Sequence, residues 1–138
     1  MRHWKLYFAI VIFIIGGLIY LIYRPTSLIM FEWSHKIGIE DWIISLREQF
    51  GRTVMPNWVV YSLPDGLWLL SYLIIIDSIW YKSHSILFYC FILALPVIAL
   101  LSEILQLFGV INGVFDIIDF LFYILAFLFY LLINYFKL

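Results

Sequence analysis

Charged side chains are scarce in this 138-residue chain: they make up 12% of the sequence, whereas 66% of its residues are hydrophobic. Soluble domains carry about 25% charged residues, so this composition excludes an ordinary soluble fold. The formal net charge is −1, which provides no basic face for nucleic acid. The composition indicates a polytopic membrane protein in which 1–138 form a single transmembrane domain that contacts the lipid bilayer.

Cysteine and recognisable catalytic motifs are also lacking. Cys90 is the only cysteine, so an intramolecular disulfide is impossible and a metal–thiolate cluster is not expected. The chain has no Gly-x-Ser-x-Gly, no His-Glu-x-x-His and no phosphate loop. We therefore expect no cofactor and no resident metal, and a non-enzymatic role is favoured.

Long apolar runs dominate what is present. A membrane-spanning helix needs about 20 apolar residues, and segments of this kind are predicted at about 6–23, 64–81, 86–108 and 117–136. The first lacks the small-residue cleavage pattern of a signal peptide and is predicted to be retained. The last two connections are short, so the helices that they join are expected to be antiparallel neighbours. The predicted fold class is an all-α membrane protein with four transmembrane helices.

The segment 24–58, between the first two spans, is the only sizeable polar part of the chain. Within it, apolar residues recur at helical spacing on one face, and Gly51 is suited to end the helix. This pattern predicts an interfacial amphipathic helix on the membrane. The same face can instead pack over helix ends of this chain or contact a membrane protein partner. The predicted interface residues are Trp42, Ile43, Leu46 and Phe50.

The orientation in the membrane is not decided by charge, because Lys and Arg are equally numerous on the two sides of the predicted bundle. Arg2 and Lys5 directly precede the first span, and the segment 24–58 is the longest polar loop. We therefore predict that both termini lie inside, with 24–58 and the short loop 109–115 outside.

Polar side chains interrupt the apolar runs at the outer end of the predicted bundle. They are Asp65, Glu103, Gln106, Asp116 and Asp119. Because carboxylates near hydrocarbon are costly, a functional polar site is the first interpretation. A spacing of three places Glu103 and Gln106 on one helix face, and Asp116 and Asp119 on another. Helix capping is the alternative, because Asp-x-x-Asp also suits a helix N-terminus.

Several like charges at one place need to be neutralised. Arg24, Arg47 and Arg52 lie on the same predicted side, so they are the expected charge partners in a structural network. A magnesium or calcium ion held by oxygen ligands is one alternative, and catalytic use of the acids is another. A separate acid, Asp77, lies near the inner end of the second span. It is expected to pair with Lys82 or His84, or to make a polar contact inside the bundle.

The acids also carry a resemblance to a known family. Glu103-x-x-Gln106, a short loop and the run Phe115–Asp119 before the final helix resemble the motif of the VanZ-like family. That motif is Glu-x-x-Gln followed by an arginine, an aspartate, an asparagine and a glycine. Glu103, Gln106 and Asp119 match it, and Gly113, Tyr123 and Ala126 stand at the other positions. Asp65 corresponds to an acid that begins the second helix in the family.

VanZ-like proteins are small bacterial membrane proteins, named for a member linked to reduced susceptibility to the glycopeptide teicoplanin. The resemblance implies an integral protein of the cytoplasmic (inner) membrane that acts on a lipid-linked or cell-wall component at the outer leaflet. The departures from the motif favour a non-catalytic role. The alternative is a small accessory or structural subunit of a larger membrane complex, which the 21% aromatic content also suits.

Overall fold

The computed structural model describes residues 3–81, 83 and 85–135, and every regular element in these ranges is an α-helix. The helices are α1 (His3–Tyr23), α2 (Ile29–Ile37), α3 (Glu40–Phe50), α4 (Asn57–Tyr61), α5 (Leu63–Ile79), α6 (Ile86–Leu107) and α7 (Ile117–Tyr135). Four residues predicted to lie on the inner side are outside the described residues: Arg2, Lys82, His84 and Lys137.

Four stretches of the described chain are long and apolar enough to cross a membrane, which confirms the predicted fold class. They are His3–Tyr23, Asn57–Ile79, Ile86–Leu107 and Ile117–Tyr135. The second begins at Asn57 rather than near 64, because the apolar turn of α4 leads directly into α5 at Ser62. Pro64 is tolerated there because the first helical positions have no intrahelical partner for their N–H groups.

The centre of the bundle is α5, which contacts α1, α6 and α7. Half of the residues in the apolar stretch that contains α5 are buried (50%), compared with 17–22% in the other three spans. Leu73 and Ile74 are almost fully buried there, together with small residues such as Gly66 and Ser71. The other three helices therefore pack around α5 and present most of their surface to lipid.

Small residues allow α1 to approach α5 closely. A Cβ atom at Gly16 would lie 2.9 Å from Trp68 Nε1 and 3.3 Å from the carbonyl oxygen of Pro64. Ser71 Oγ donates a 2.9 Å hydrogen bond to the carbonyl of Ala9. Small side chains at such contacts let helix backbones approach within a membrane, where van der Waals packing and hydrogen bonds drive association.

The predicted amphipathic helix is the second arm of a hairpin formed by α2 and α3, which turns at Gly38 with φ of +80°. As predicted, α3 ends just before Gly51. Its predicted interface is divided: Ile43 is only 2% exposed, whereas Trp42 and Phe50 are 54% and 45% exposed. Since α3 packs on α1 and Ile43 is buried within its own chain, Ile43 follows the packing alternative and is not available to a partner.

A hydrogen bond between His35 and Glu40 closes this hairpin on its polar side. The Glu40 carboxylate stabilises the imidazolium form and raises the pKa of His35 above its ordinary value of 6.5. Both side chains are exposed and line a cavity of about 610 Å³ between α2 and α3. His35 and Glu40 therefore satisfy each other's hydrogen bond, and neither leaves an unpaired polar group that would point to a ligand.

Candidate functional site

The antiparallel order of the helices brings the predicted polar residues to one end of the bundle. Asp65 lies in the first turn of α5, Glu103 lies near the last turn of α6, and Asp119 lies in the first turn of α7. The C-terminal end of α1 reaches the same level, where Arg24 follows Tyr23. Neighbouring helices of opposite direction therefore place acids from three spans close together.

Glu103 and Asp116 organise the connection between α6 and α7. Glu103 is only 5% exposed, and its Oε2 accepts a 3.2 Å hydrogen bond from the backbone N–H of Asp116. Asp116 Oδ1 in turn accepts a 2.8 Å bond from the N–H of Ile118. Asp116 thus caps α7, which is the alternative interpretation of this residue, because its side chain satisfies an unpaired donor of the first turn.

Asp65, Glu103 and Asp119 lie close enough to repel one another electrostatically, and Tyr123 interacts with all three. Asp119 Oδ1 is buried and has no hydrogen-bond partner. Ser62, which is 1% exposed, likewise has a buried hydroxyl without a partner. We call the group formed by Ser62, Asp65, Glu103, Asp119 and Tyr123 the acidic site.

Gln106 packs on the loop between α6 and α7. A Cβ atom at Gly113 would lie 2.6 Å from Gln106 Cδ, so the amide packs directly on the glycine. Gly113 has φ of +142°, a conformation that other residues rarely adopt. An arginine at 113, as in the VanZ-like motif, would therefore require both the loop and Gln106 to rearrange.

None of the three arginines expected in the network forms an ion pair with a site acid within the described ranges. Arg47 Nη1 donates hydrogen bonds of 2.6 Å to the carbonyl of Leu21 and 2.9 Å to that of Arg24. It caps the C-terminus of α1 because α3 packs across that end. Arg52 is exposed, and neither arginine forms an ion pair with a site acid within the described ranges.

Arg24 is the arginine that reaches the acidic site. Its guanidinium attracts Asp65 electrostatically but makes no ion pair with the described acids. Nη2 donates instead to the carbonyl of Tyr61 at 3.2 Å, and the group lies over the rings of Tyr20 and Tyr61. Its Nε is buried and has no hydrogen-bond partner. Arg24 therefore contributes positive charge and an unused donor.

Sequence reasoning gave no role to Tyr123, although its spacing carried a signal. It lies four residues after Asp119, which places both on one face of α7. Ser62 lies three residues before Asp65, which resembles a capping pattern, but its side chain makes no capping bond. A cavity of about 170 Å³ lies beside the acidic site and is lined by Asp65, Tyr123 and apolar side chains of α5 and α6.

A second polar cluster, at the opposite end of the bundle, was not predicted as a unit. Lys5 is 5% exposed, and its Nζ lies 2.7 Å from Asn134 Oδ1 and 3.9 Å from Asp77 Oδ2. Tyr130 donates a 3.3 Å hydrogen bond to Asp77 Oδ1. Asp77 thus makes the alternative contact inside the bundle, whereas its expected partners Lys82 and His84 lie outside the described residues. The four side chains join α1, α5 and α7.

The described residues give the metal alternative no geometric support. Among 3–81, 83 and 85–135, no three His, Cys, Asp or Glu side chains come together in a way that could hold a metal ion. The acidic site instead combines carboxylate acceptors, two hydroxyl groups and the nearby guanidinium of Arg24. This set is suited to binding a polar group that carries hydrogen-bond donors.

Comparison with known proteins adds no relative: the chain matches no protein-family model, and neither a curated protein nor a solved structure matches it.

Proposed function

We propose that this chain is a VanZ-like integral membrane protein of the bacterial cell envelope, which binds a polar group of a lipid-linked or cell-wall component without converting it chemically. The observation that carries the proposal is the buried, unpartnered Oδ1 of Asp119 beside Asp65 and Glu103. A buried acceptor without a donor costs about 1–3 kcal/mol. A bound donor removes this cost, so the site favours binding.

The hydroxyl of Ser62 supports binding over nucleophilic catalysis. A catalytic serine is activated by a neighbouring base that accepts its hydrogen bond. Ser62 Oγ has no hydrogen-bond partner, so no described side chain is placed to act as its base. In this proposal the acids hold the ligand. Gly113 and Ala126 stand where the VanZ-like motif has an arginine and a glycine, so a reaction that used those motif residues is not expected here.

We place the acidic site at the outer face of the bacterial cytoplasmic membrane, with both termini inside. The exposed residues Glu48 in α3 and Ser83 between α5 and α6 test this orientation. In a Cys90→Ala background, an impermeant maleimide is expected to label Glu48→Cys in intact cells and Ser83→Cys only after permeabilisation. Labelling of Ser83→Cys alone in intact cells would reverse the orientation.

The functional proposal predicts a phenotype that depends on the acidic site. Expression in a glycopeptide-susceptible bacterium is expected to reduce teicoplanin susceptibility, measured as the minimal inhibitory concentration. Asp65→Asn and Asp119→Asn should abolish this effect because they weaken the acceptor set. Glu48→Gln removes an exposed acid that is not part of the acidic site. At equal membrane abundance, this variant should still reduce teicoplanin susceptibility.

An unchanged susceptibility with well-expressed wild-type protein would refute the VanZ-like proposal. The second candidate, a complex subunit, is supported by the exposed rings of Trp42 and Phe50 on α3. Aromatic anchors commonly dominate protein contacts. A stoichiometric partner that co-purifies with wild type and is released by Trp42→Ala, while Asp119→Asn has no effect, would favour the subunit over the envelope-binding role.

A further inference from the structure

A groove opens on the side of α5 that faces between α1 and α6. Across the described residues, α5 packs extensively on both of these helices, but they do not pack extensively on each other. The resulting cavity of about 440 Å³ is lined mainly by apolar side chains from α1, α2, α5 and α6, including Phe13, Met30 and Ile75. Its volume lies within the range of about 300–1,000 Å³ that is typical of ligand sites.

Two aromatic side chains of α5 hold the groove open. Trp68 Nε1 donates a 3.2 Å hydrogen bond to the carbonyl of Phe13 on α1. Tyr72 donates its hydroxyl hydrogen to the carbonyl of Phe91 on α6. The two rings are therefore fixed toward opposite walls, so the groove is already formed without a ligand.

The groove leads to the acidic site. Trp68 and Leu95 line both the apolar cavity and the smaller cavity that contains Asp65 and Tyr123. Residues 65, 68, 72 and 75 recur at helical spacing along one stripe of α5, with the acid at one end. All four side chains of this stripe are partly exposed, and so is Leu95 on the facing side of α6, so the stripe is accessible from outside the bundle.

At the polar end of the groove, both hydrogen-bond donors and hydrogen-bond acceptors lack a partner. Asp119 Oδ1 lacks a donor, Arg24 Nε lacks an acceptor, and Ser62 Oγ lacks any partner. Ser62 is 1% exposed and lies three residues before Asp65, so the two side chains are neighbours where the chain enters α5. These are the unpartnered buried side-chain atoms of the described chain, and all belong to the residues around this site.

We infer that the groove and the acidic site together bind one phospholipid whose headgroup carries a primary ammonium. The ammonium donates to Asp119 and Asp65, the phosphate accepts from Arg24, and an acyl chain lies in the groove between α1 and α6. An ammonium matches the carboxylates in charge, and its three N–H donors supply the hydrogen bonds that they lack. This inference rests on the proposed binding role and names the class of ligand.

A second apolar groove of the bundle provides a matched control. It has a volume of about 310 Å³, lies between α1 and α7 and is lined by apolar residues including Leu70, Phe122 and Leu125. Its lining has no acid, hydroxyl or guanidinium group, so it does not select a headgroup. A lipid bound there would respond to hydrophobic blockage but not to changes in the acidic site.

The test is native mass spectrometry of the full-length protein, titrated in detergent with phosphatidylethanolamine, phosphatidylcholine or phosphatidylglycerol. The wild type is expected to bind phosphatidylethanolamine at a ratio of one. Phosphatidylcholine has no ammonium N–H donor and phosphatidylglycerol has no cation, so both should bind about tenfold more weakly or worse, the loss expected when a charged hydrogen bond is missing. Asp119→Asn should remove this preference.

Blocking variants test the groove independently of the charges. Leu95→Trp, at the junction of the two cavities, is expected to reduce phosphatidylethanolamine binding about tenfold, whereas Leu125→Trp in the control groove should not. Equal binding of the three lipids, an unchanged preference in Asp119→Asn, or equal losses in the two tryptophan variants would overturn the inference. Unfolding temperatures within a few degrees of wild type establish that each variant is folded. If Asp119→Asn is not folded, Asp65→Asn is used in its place.

The lipid inference and the proposed function fail separately. Selective phosphatidylethanolamine binding without any change in teicoplanin susceptibility would refute the envelope function and leave the lipid site intact. A susceptibility effect that requires Asp119, in a protein that binds the three lipids equally, would refute the lipid site alone.

Discussion

Replacement of Lys5 by methionine is expected to destabilise the protein by roughly 3 kcal/mol. This is near the lower end of the range for removing one partner of a buried ion pair, because the Asp77 side chain that would lose its partner is 27% exposed. Lys5 is 5% exposed and contacts both Asn134 and Asp77, while methionine keeps most of the apolar stem. The free energy of unfolding in mixed micelles measures the loss.

Two controls separate the buried charge from a general effect of lysine. Lys36 is exposed on α2, so Lys36→Met should change stability by less than about 0.5 kcal/mol. The double variant Lys5→Met with Asp77→Asn should be more stable than Lys5→Met alone, because no unpaired carboxylate remains. Additive losses in the double variant would show that Lys5 and Asp77 are not energetically coupled.

The sequence was sufficient to predict the four spans, because long apolar runs have few alternative structures in a chain of this composition. It also placed Asp65, Glu103 and Asp119 at one end of the bundle, since short connections force neighbouring helices to run in opposite directions. The span that carries acids at both ends, α5, is the buried centre. Its acids tolerate this position because each lies at a helix end beside polar residues of other helices.

The partners of the charged residues could not be predicted from the side of the membrane on which each residue is expected to lie. Arg47 was expected to neutralise the acids, but the α2–α3 hairpin carries it onto the last carbonyls of α1. Lys5 precedes an apolar run and was interpreted as a flanking charge, yet its side chain reaches α5 and α7. Such pairings depend on the rotational orientation of each helix about its own axis. A hydrophobic run without a polar stripe does not determine that orientation.

Gly16→Leu is expected to lower the free energy of unfolding by about 1–3 kcal/mol, the usual cost of inserting atoms into a well-packed contact. The first added carbon would lie 2.9 Å from Trp68 Nε1, and Trp68 cannot move freely because it is hydrogen-bonded to α1 and packed against Tyr20. The carbonyl of Pro64, 3.3 Å away, is backbone and cannot yield. The variant must therefore separate α1 from α5.

Gly17→Leu is the matched control, because a Cβ atom at Gly17 meets no other atom within 4 Å. Both substitutions replace a helical glycine and gain the same intrinsic helix propensity, roughly 0.8 kcal/mol, so their difference isolates the contact with α5. Gly17→Leu is expected to unfold at or above the temperature of wild type, and Gly16→Leu well below it. Because Trp68 also forms one wall of the lipid groove, only Gly16→Leu should weaken phosphatidylethanolamine binding. Equal stability of the two variants would mean that α1 does not meet α5 through Gly16, and the groove between α1 and α6 would then lose the wall on which its shape depends.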